Sequence, residues 1–155
     1  MSLRTALVAT ALLLLAVAAF MPRSSGTKGP YAADPVRTPG VLNRDVTQAN
    51  ITTTICKHGW TRTIRPPTDY TSALKLKQMR EYGVAGSPAQ YQEDHLISLE
   101  LGGHPTDPRN LWPEPYPRAA EVDSIENELN AKVCSGDLSL TDAQQQESDL
   151  KHVDG

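Results

Sequence analysis

Asp94 and His95 stand side by side at the end of an alternating run, "YQEDH", and are followed by a Gly102-Gly103 break, a loop rich in Pro and Asp, and Asn110. These residue types can do chemistry together. An imidazole titrates near neutrality and can serve as a general base. A carboxylate with an Asn supplies hard oxygen ligands suited to Mg²⁺ or Mn²⁺. Further on, Asp123 and Asn127 are i,i+4 neighbours on a predicted helix, with Glu126 beside both. A base for water next to a cation that steadies a poor leaving alkoxide is what phosphodiester hydrolysis requires. Adjacent residues on a regular strand point to opposite faces, so for Asp94 and His95 to converge the chain must bend there. The plainer reading is that an Asp-His pair is incidental to structure. His104 reads as a solvated loop residue, and His58 and His152 have no convergent partners.

The elements that must position these groups are short. "ITTTICKHGWTRTIRPP" is β-branched and alternating, and predicts a strand or hairpin with Gly59 at a turn. "YTSALKLKQMREYG" predicts a helix capped by Thr71 or Ser72, with Leu76, Met79 and Tyr82 on one stripe and Gly83 at its C-terminal end. "QYQEDHLISLEL" predicts a strand ended by the glycine pair, and "NLW" a returning strand. Pro113, Pro115 and Pro117 exclude a helix before Arg118. From Ala119, Val122, Ile125, Leu129 and Val133 repeat at threes and fours as a core-facing stripe. Thr141 and Gln144 form a capping-box pattern for a last helix. Trp60 and Trp112 read as packing residues.

The 155 residues suit one domain. Residues 1–18 combine a basic start, an apolar run and Ala16-Val17-Ala18, the pattern of an export signal; the other reading is an uncleaved membrane anchor. Residues 19–44, rich in Ser, Gly, Pro and Thr, read as a flexible linker, leaving 45–155 as the compact domain. Cys56 and Cys134 are an even pair in a chain expected to be secreted or held in the cell envelope, which fits one disulfide. The net charge of −3 argues against nonspecific coating of nucleic acid. The charge is uneven, however. Lys57, Arg62, Arg65, Lys75, Lys77 and Arg80 face only Asp69 within residues 57–80, whereas residues 121–155 carry nine acids and two bases. A basic segment beside an acidic helix could hold a phosphate next to a cation; the other reading is a solvated charged surface.

With "DHLISLELGG", "NLWPEP" and the flanking "TIC…GWTRTIRPP" and "VCSG…SLTDAQ", the chain resembles small exported bacterial HNH-type endonucleases from about Asp45 to Gln145. The resemblance implies an α+β fold, a ββα-metal (HNH-like) core with flanking helices, and divalent-metal-dependent cleavage of DNA or RNA. It implies Asp94 as metal ligand, His95 as general base and Asn110 as the residue that orients the loop and that base. The family's last motif position is usually a His or Asn on the helix. This helix has no His, so Asp123 or Asn127 would serve, with Glu126 a further candidate. One His in the motif favours Mg²⁺ or Mn²⁺ over Zn²⁺. Arg62, Arg65, Lys75 and Arg109 are the candidate substrate-binding bases. The chain departs from the family at Val122, where the relatives carry a Lys, and at Ser98, which replaces a Pro. Nucleic acid is thus the expected partner. A non-catalytic exported binding domain on the same fold is the alternative, and an envelope protein with a structural ion a third reading.

Overall fold

A computed structural model describes residues 32–155, so the predicted export signal lies outside the described residues. Two strands, β1 (Tyr91–His95) and β2 (Leu111–Pro115), form one antiparallel sheet in which Asp94 pairs with Trp112 and His95 with Leu111. Before them come a short helix α1 (Trp60–Ile64) and α2 (Thr68–Tyr82); after them come α3 (Arg118–Ser135) and α4 (Leu140–Val153). The architecture is mixed α+β, and the order strand, loop, strand, helix is that expected from the sequence. Pro113 and Pro115 are accommodated in β2 because a two-stranded sheet leaves each strand an unpaired edge. The chain turns through a cis Tyr116–Pro117 bond and α3 begins at Arg118.

The main core joins α3 and α4 to the turn that follows β1. Leu129 and Val133 of α3 meet Leu140 and Ala143 of α4, with Ile97, Leu101, Val46 and Ile55 completing the cluster. The predicted stripe on α3 holds, with Val122, Leu129 and Val133 buried and Ile125 at its margin. A second cluster, Ala33, Leu96 and Trp112 against Tyr82, lies elsewhere around the sheet. Cys56 and Cys134 are bonded, with Cα atoms 5.6 Å apart across 78 residues of sequence. Closing a loop of that length is worth about 4 kcal/mol in the chain-entropy model.

Several expectations are corrected. The segment 51–67 holds no strand: a 3₁₀ turn, Gln48–Thr53, leads through Gly59 (φ 78°) into α1. Its Thr hydroxyls bond back to local carbonyls, Thr53 and Thr54 to Asn50 and Thr63 to Trp60, so β-branching here serves turns rather than a ladder. Helix α2 starts at Thr68, just after Pro67, ahead of the expected Thr71 or Ser72. Gly83 does end it in the left-handed conformation, but Leu76 of the supposed stripe is 47% exposed. Strand β1 stops at His95, and Leu99–Leu101 forms a 3₁₀ turn rather than more strand. Helix α4 is capped by Ser139, whose hydroxyl accepts from Asp142 N at 3.1 Å, not by the Thr141 box.

The linker assignment 19–44 is overturned from residue 33 onward. Ala33 and Thr38 are fully buried, Ala33 N donates to Lys151 O at 2.8 Å, and Asn43 N donates to Gly102 O at 2.9 Å. This strap is held through backbone groups and small side chains, which composition alone reads as flexible.

Candidate active site

The end of β1, the turn after it, α1 and α3 enclose a cleft of about 260 Å³. Asp94, His95, Gln92 and Glu100 line one side, Asp123, Glu126 and Asn127 of α3 another, and Thr61 and Arg65 of α1 and its end close it. The structure thus brings the adjacent Asp94 and His95 into one cavity. The chain bends at Leu96 and Ile97, immediately after the strand.

A chain of contacts sets the His95 ring. Asn110 is fully buried; its Oδ1 accepts from Ile97 N, and its Nδ2 donates to Ile97 O and His104 O, each at 3.0 Å. That clamp closes the loop between the strands and fixes His104, next to Pro105. The carbonyl of Pro105 accepts from His95 Nε2 at 3.0 Å. A carbonyl can only accept, so Nε2 carries the proton and Nδ1, which makes no hydrogen bond among the described residues, is the free base. Burial lowers the His95 pKa, keeping the ring neutral. The glycine pair has a steric reason. Gly102 turns at φ 78°, and a Cβ on Gly103 would lie 1.7 Å from Ile97 O and 2.7 Å from Asn110 Nδ2.

Sequence reasoning missed the group at the centre of this site. Lys151 of α4 is fully buried, with Nζ 2.9 Å from Asp94 Oδ2, 2.6 Å from His95 O, 2.5 Å from Glu126 Oε1 and 3.5 Å from Glu147 Oε1. Burial alone would raise the Asp94 carboxyl. The Lys151 ammonium outweighs it and holds Asp94 well below the usual carboxylate range. Burial would likewise lower Lys151, but the surrounding carboxylates raise it well above the usual lysine value. One ammonium does not balance all the acids around it. Among the described residues no N–H or hydroxyl reaches either oxygen of Glu114. Burial, and the hydrogen bond Glu114 shares with Asp94, push its carboxyl up to about 9, so it stands protonated beside that carboxylate. Burial pushes Glu147 up to about 7 and Glu126 in the same direction. One signal was legible: the inward stripe of α4 reads Leu140, Ala143, Glu147, Lys151, a charged i,i+4 pair where apolar residues belong.

The remaining candidates divide. Asp123 and Asn127 reach the cleft, with Asn127 Nδ2 donating to Asp123 O at 2.6 Å, which leaves the amide oxygen uncommitted. Glu126 lines the cleft but gives an oxygen to Lys151. Of the four candidate bases only Arg65 lines the cleft. Arg62 lies exposed on α1, Lys75 donates to Tyr91 O at 2.8 Å, and Arg109 pairs with Asp107 at 2.6 Å. His104 is a loop residue, its Nδ1 accepting from Thr106 N and Asp107 N. Val122 is buried, so the helix brings no cation there; the cation near Asp94 comes from α4 instead.

The donor set suits a hard cation. Asp94, Asp123 and the Asn127 amide present oxygens to one cavity. Among the described residues no three His, Cys, Asp or Glu are gathered as a ready coordination sphere. A cation held by one or two side chains and several waters is the manner of Mg²⁺ rather than of structural Zn²⁺. Comparison of the chain with protein-family models, curated proteins and solved structures finds no match.

Proposed function

We propose that the chain is an exported, divalent-metal-dependent endonuclease of HNH type that hydrolyses phosphodiester bonds of DNA or RNA. One observation carries the reading: His95 and Asp94 line one cleft, with His95 Nε2 held by Pro105 O at 3.0 Å, which leaves Nδ1 as the ring's base. His95 takes a proton from the attacking water at Nδ1. Asn110 keeps the loop that holds the ring. Arg65 meets the phosphate. Mg²⁺ or Mn²⁺ would be held by Asp94 with Asp123 or Asn127, and when bound supplies charge stabilisation at the leaving oxygen.

A second reading, a non-catalytic binding domain on the same scaffold, is favoured by one contact: Lys151 already gives Asp94 and Glu126 a cation. Plasmid-nicking and RNA-cleavage assays with Mg²⁺, with Mn²⁺ and with EDTA decide between the two. Cleavage abolished by EDTA supports the nuclease; cleavage of neither substrate supports the binding domain.

A further inference from the structure

We infer that Lys151, on the last helix, is a positioning residue of the cleft: by fixing one oxygen of Asp94 and the backbone of His95 it sets how tightly a divalent cation is held. This rests on the metal-dependent reading above.

The hydrogen-bond count identifies the species. An ammonium has three N–H donors and a neutral amine two. Three acceptors lie within 2.9 Å: Asp94 Oδ2, His95 O and Glu126 Oε1. Glu147 at 3.5 Å adds charge only. Every donor is therefore committed to a group at the back of the cleft. Lys151 is fully buried and does not line the cavity, so it can touch neither substrate nor metal and acts only through its partners.

The contacts divide Asp94 into two halves. Lys151 holds Oδ2 at 2.9 Å, and Gln92, itself a lining residue, gives Oδ1 a longer 3.3 Å bond. Glu114 also hydrogen-bonds this carboxylate, so Lys151 is one of three groups that orient it at the cleft. The same nitrogen draws in the carbonyl of His95, the last residue of β1, where the chain leaves the sheet. It also binds Glu126 of α3, so one ammonium joins β1, α3 and α4 at the site.

Stability alone gives little reason for this arrangement. Replacing a whole buried ion pair by apolar side chains of similar volume is often neutral or stabilising, and the neighbouring stripe residues Leu140 and Ala143 show that this helix face can be apolar. A partner behind a metal ligand, by contrast, is worth about 10- to 100-fold in metal affinity or activity. The rival account makes Lys151 a substitute for the metal, and it predicts the opposite sign: removing the lysine would release Asp94 and Glu126 and tighten cation binding.

The test is titration calorimetry of the exported protein with Mn²⁺, with the electron paramagnetic resonance of bound Mn²⁺ as a second readout. Wild type is compared with Lys151→Met and with Glu147→Gln/Lys151→Met. The double variant leaves fewer unpaired acids and keeps an amide oxygen for Ser98 N, which now bonds Glu147 at 2.9 Å; it decides the matter if the single variant does not fold. The dissociation constant should rise about 10- to 100-fold, with a changed Mn²⁺ spectrum. An affinity within about two-fold of wild type, or a tighter one, overturns the inference and leaves the nuclease reading standing. Wild type that binds no Mn²⁺ overturns both.

Discussion

At the scale of residues, the site rests on a division of labour between neighbours. Asp94 is kept ionised by an ammonium 2.9 Å away, while His95 next to it is kept neutral by burial. An ionised carboxylate beside a neutral imidazole suits a ligand and a base. Among the surface bases, position in the fold separates those that face the cleft from those that do not. Arg65→Ala should weaken binding of a nucleic-acid substrate and reduce the salt slope of log K by about one, the signature of one lost phosphate contact. Lys75→Ala and Arg109→Ala should leave that slope unchanged, because Lys75 is tied to Tyr91 O and Arg109 to Asp107 and neither lines the cleft. Binding measured from 50 to 200 mM salt checks this, and equal effects from all three would move the substrate path off the cleft.

At the scale of elements, the loop between β1 and β2 is the part that cannot be varied. Gly103→Ala should cost more than Gly83→Ala in urea unfolding. The first sets a methyl against Ile97 O at 1.7 Å and intrudes on the Asn110 clamp, and overpacking of this kind typically costs about 1–3 kcal/mol. The second meets nothing within 4 Å and carries only left-handed strain, about 1 kcal/mol. A smaller loss at Gly103 would mean that the loop relaxes around the clamp. This loop, both strands and α3 were legible because each has a local cause: alternation, the glycine pair, prolines that delay the helix to Arg118, and a three-four stripe. Segment 51–67 misled because Thr and Ile favour strands only where a ladder partner exists, and here the hydroxyls find local carbonyls instead. Lys151 was hidden for another reason. Its hydrogen-bond partners lie 25 to 57 residues away, and a lysine four residues after a Glu ordinarily reads as one half of a solvated helix pair.

At the scale of the whole molecule, an acid-rich interior makes stability depend on pH in a direction opposite to acid denaturation. Glu147, Glu93 and Glu114 have carboxyls raised by burial to about 7, 8 and 9. The unfolded chain ionises them near the usual 4.5, so the folded state keeps protons that the unfolded state has lost, and stability falls as pH rises through these values. The lowered groups act elsewhere, Asp94 below its ordinary 3.8 and His95 below 6.5. From pH 6.5 to 8, therefore, the metal-free protein should lose several degrees of melting temperature, and Glu114→Gln, which keeps a donor for Asp94, should flatten that slope. A melting temperature that rises across this window would show these carboxyls to be ionised in the fold. The account's central claim, that His95 is the base of a metal-dependent nuclease, is tested most directly by single-turnover cleavage of plasmid DNA and of RNA with Mn²⁺, comparing wild type with His95→Ala. Wild type should cleave at least one substrate, with a rate that climbs with pH to a plateau and a midpoint below 6.5, because burial lowers the His95 pKa. His95→Ala should fold and bind Mn²⁺ yet lose about 10²- to 10⁴-fold in rate. Equal rates for the two proteins, or no cleavage of either substrate by wild type, would contradict the claim.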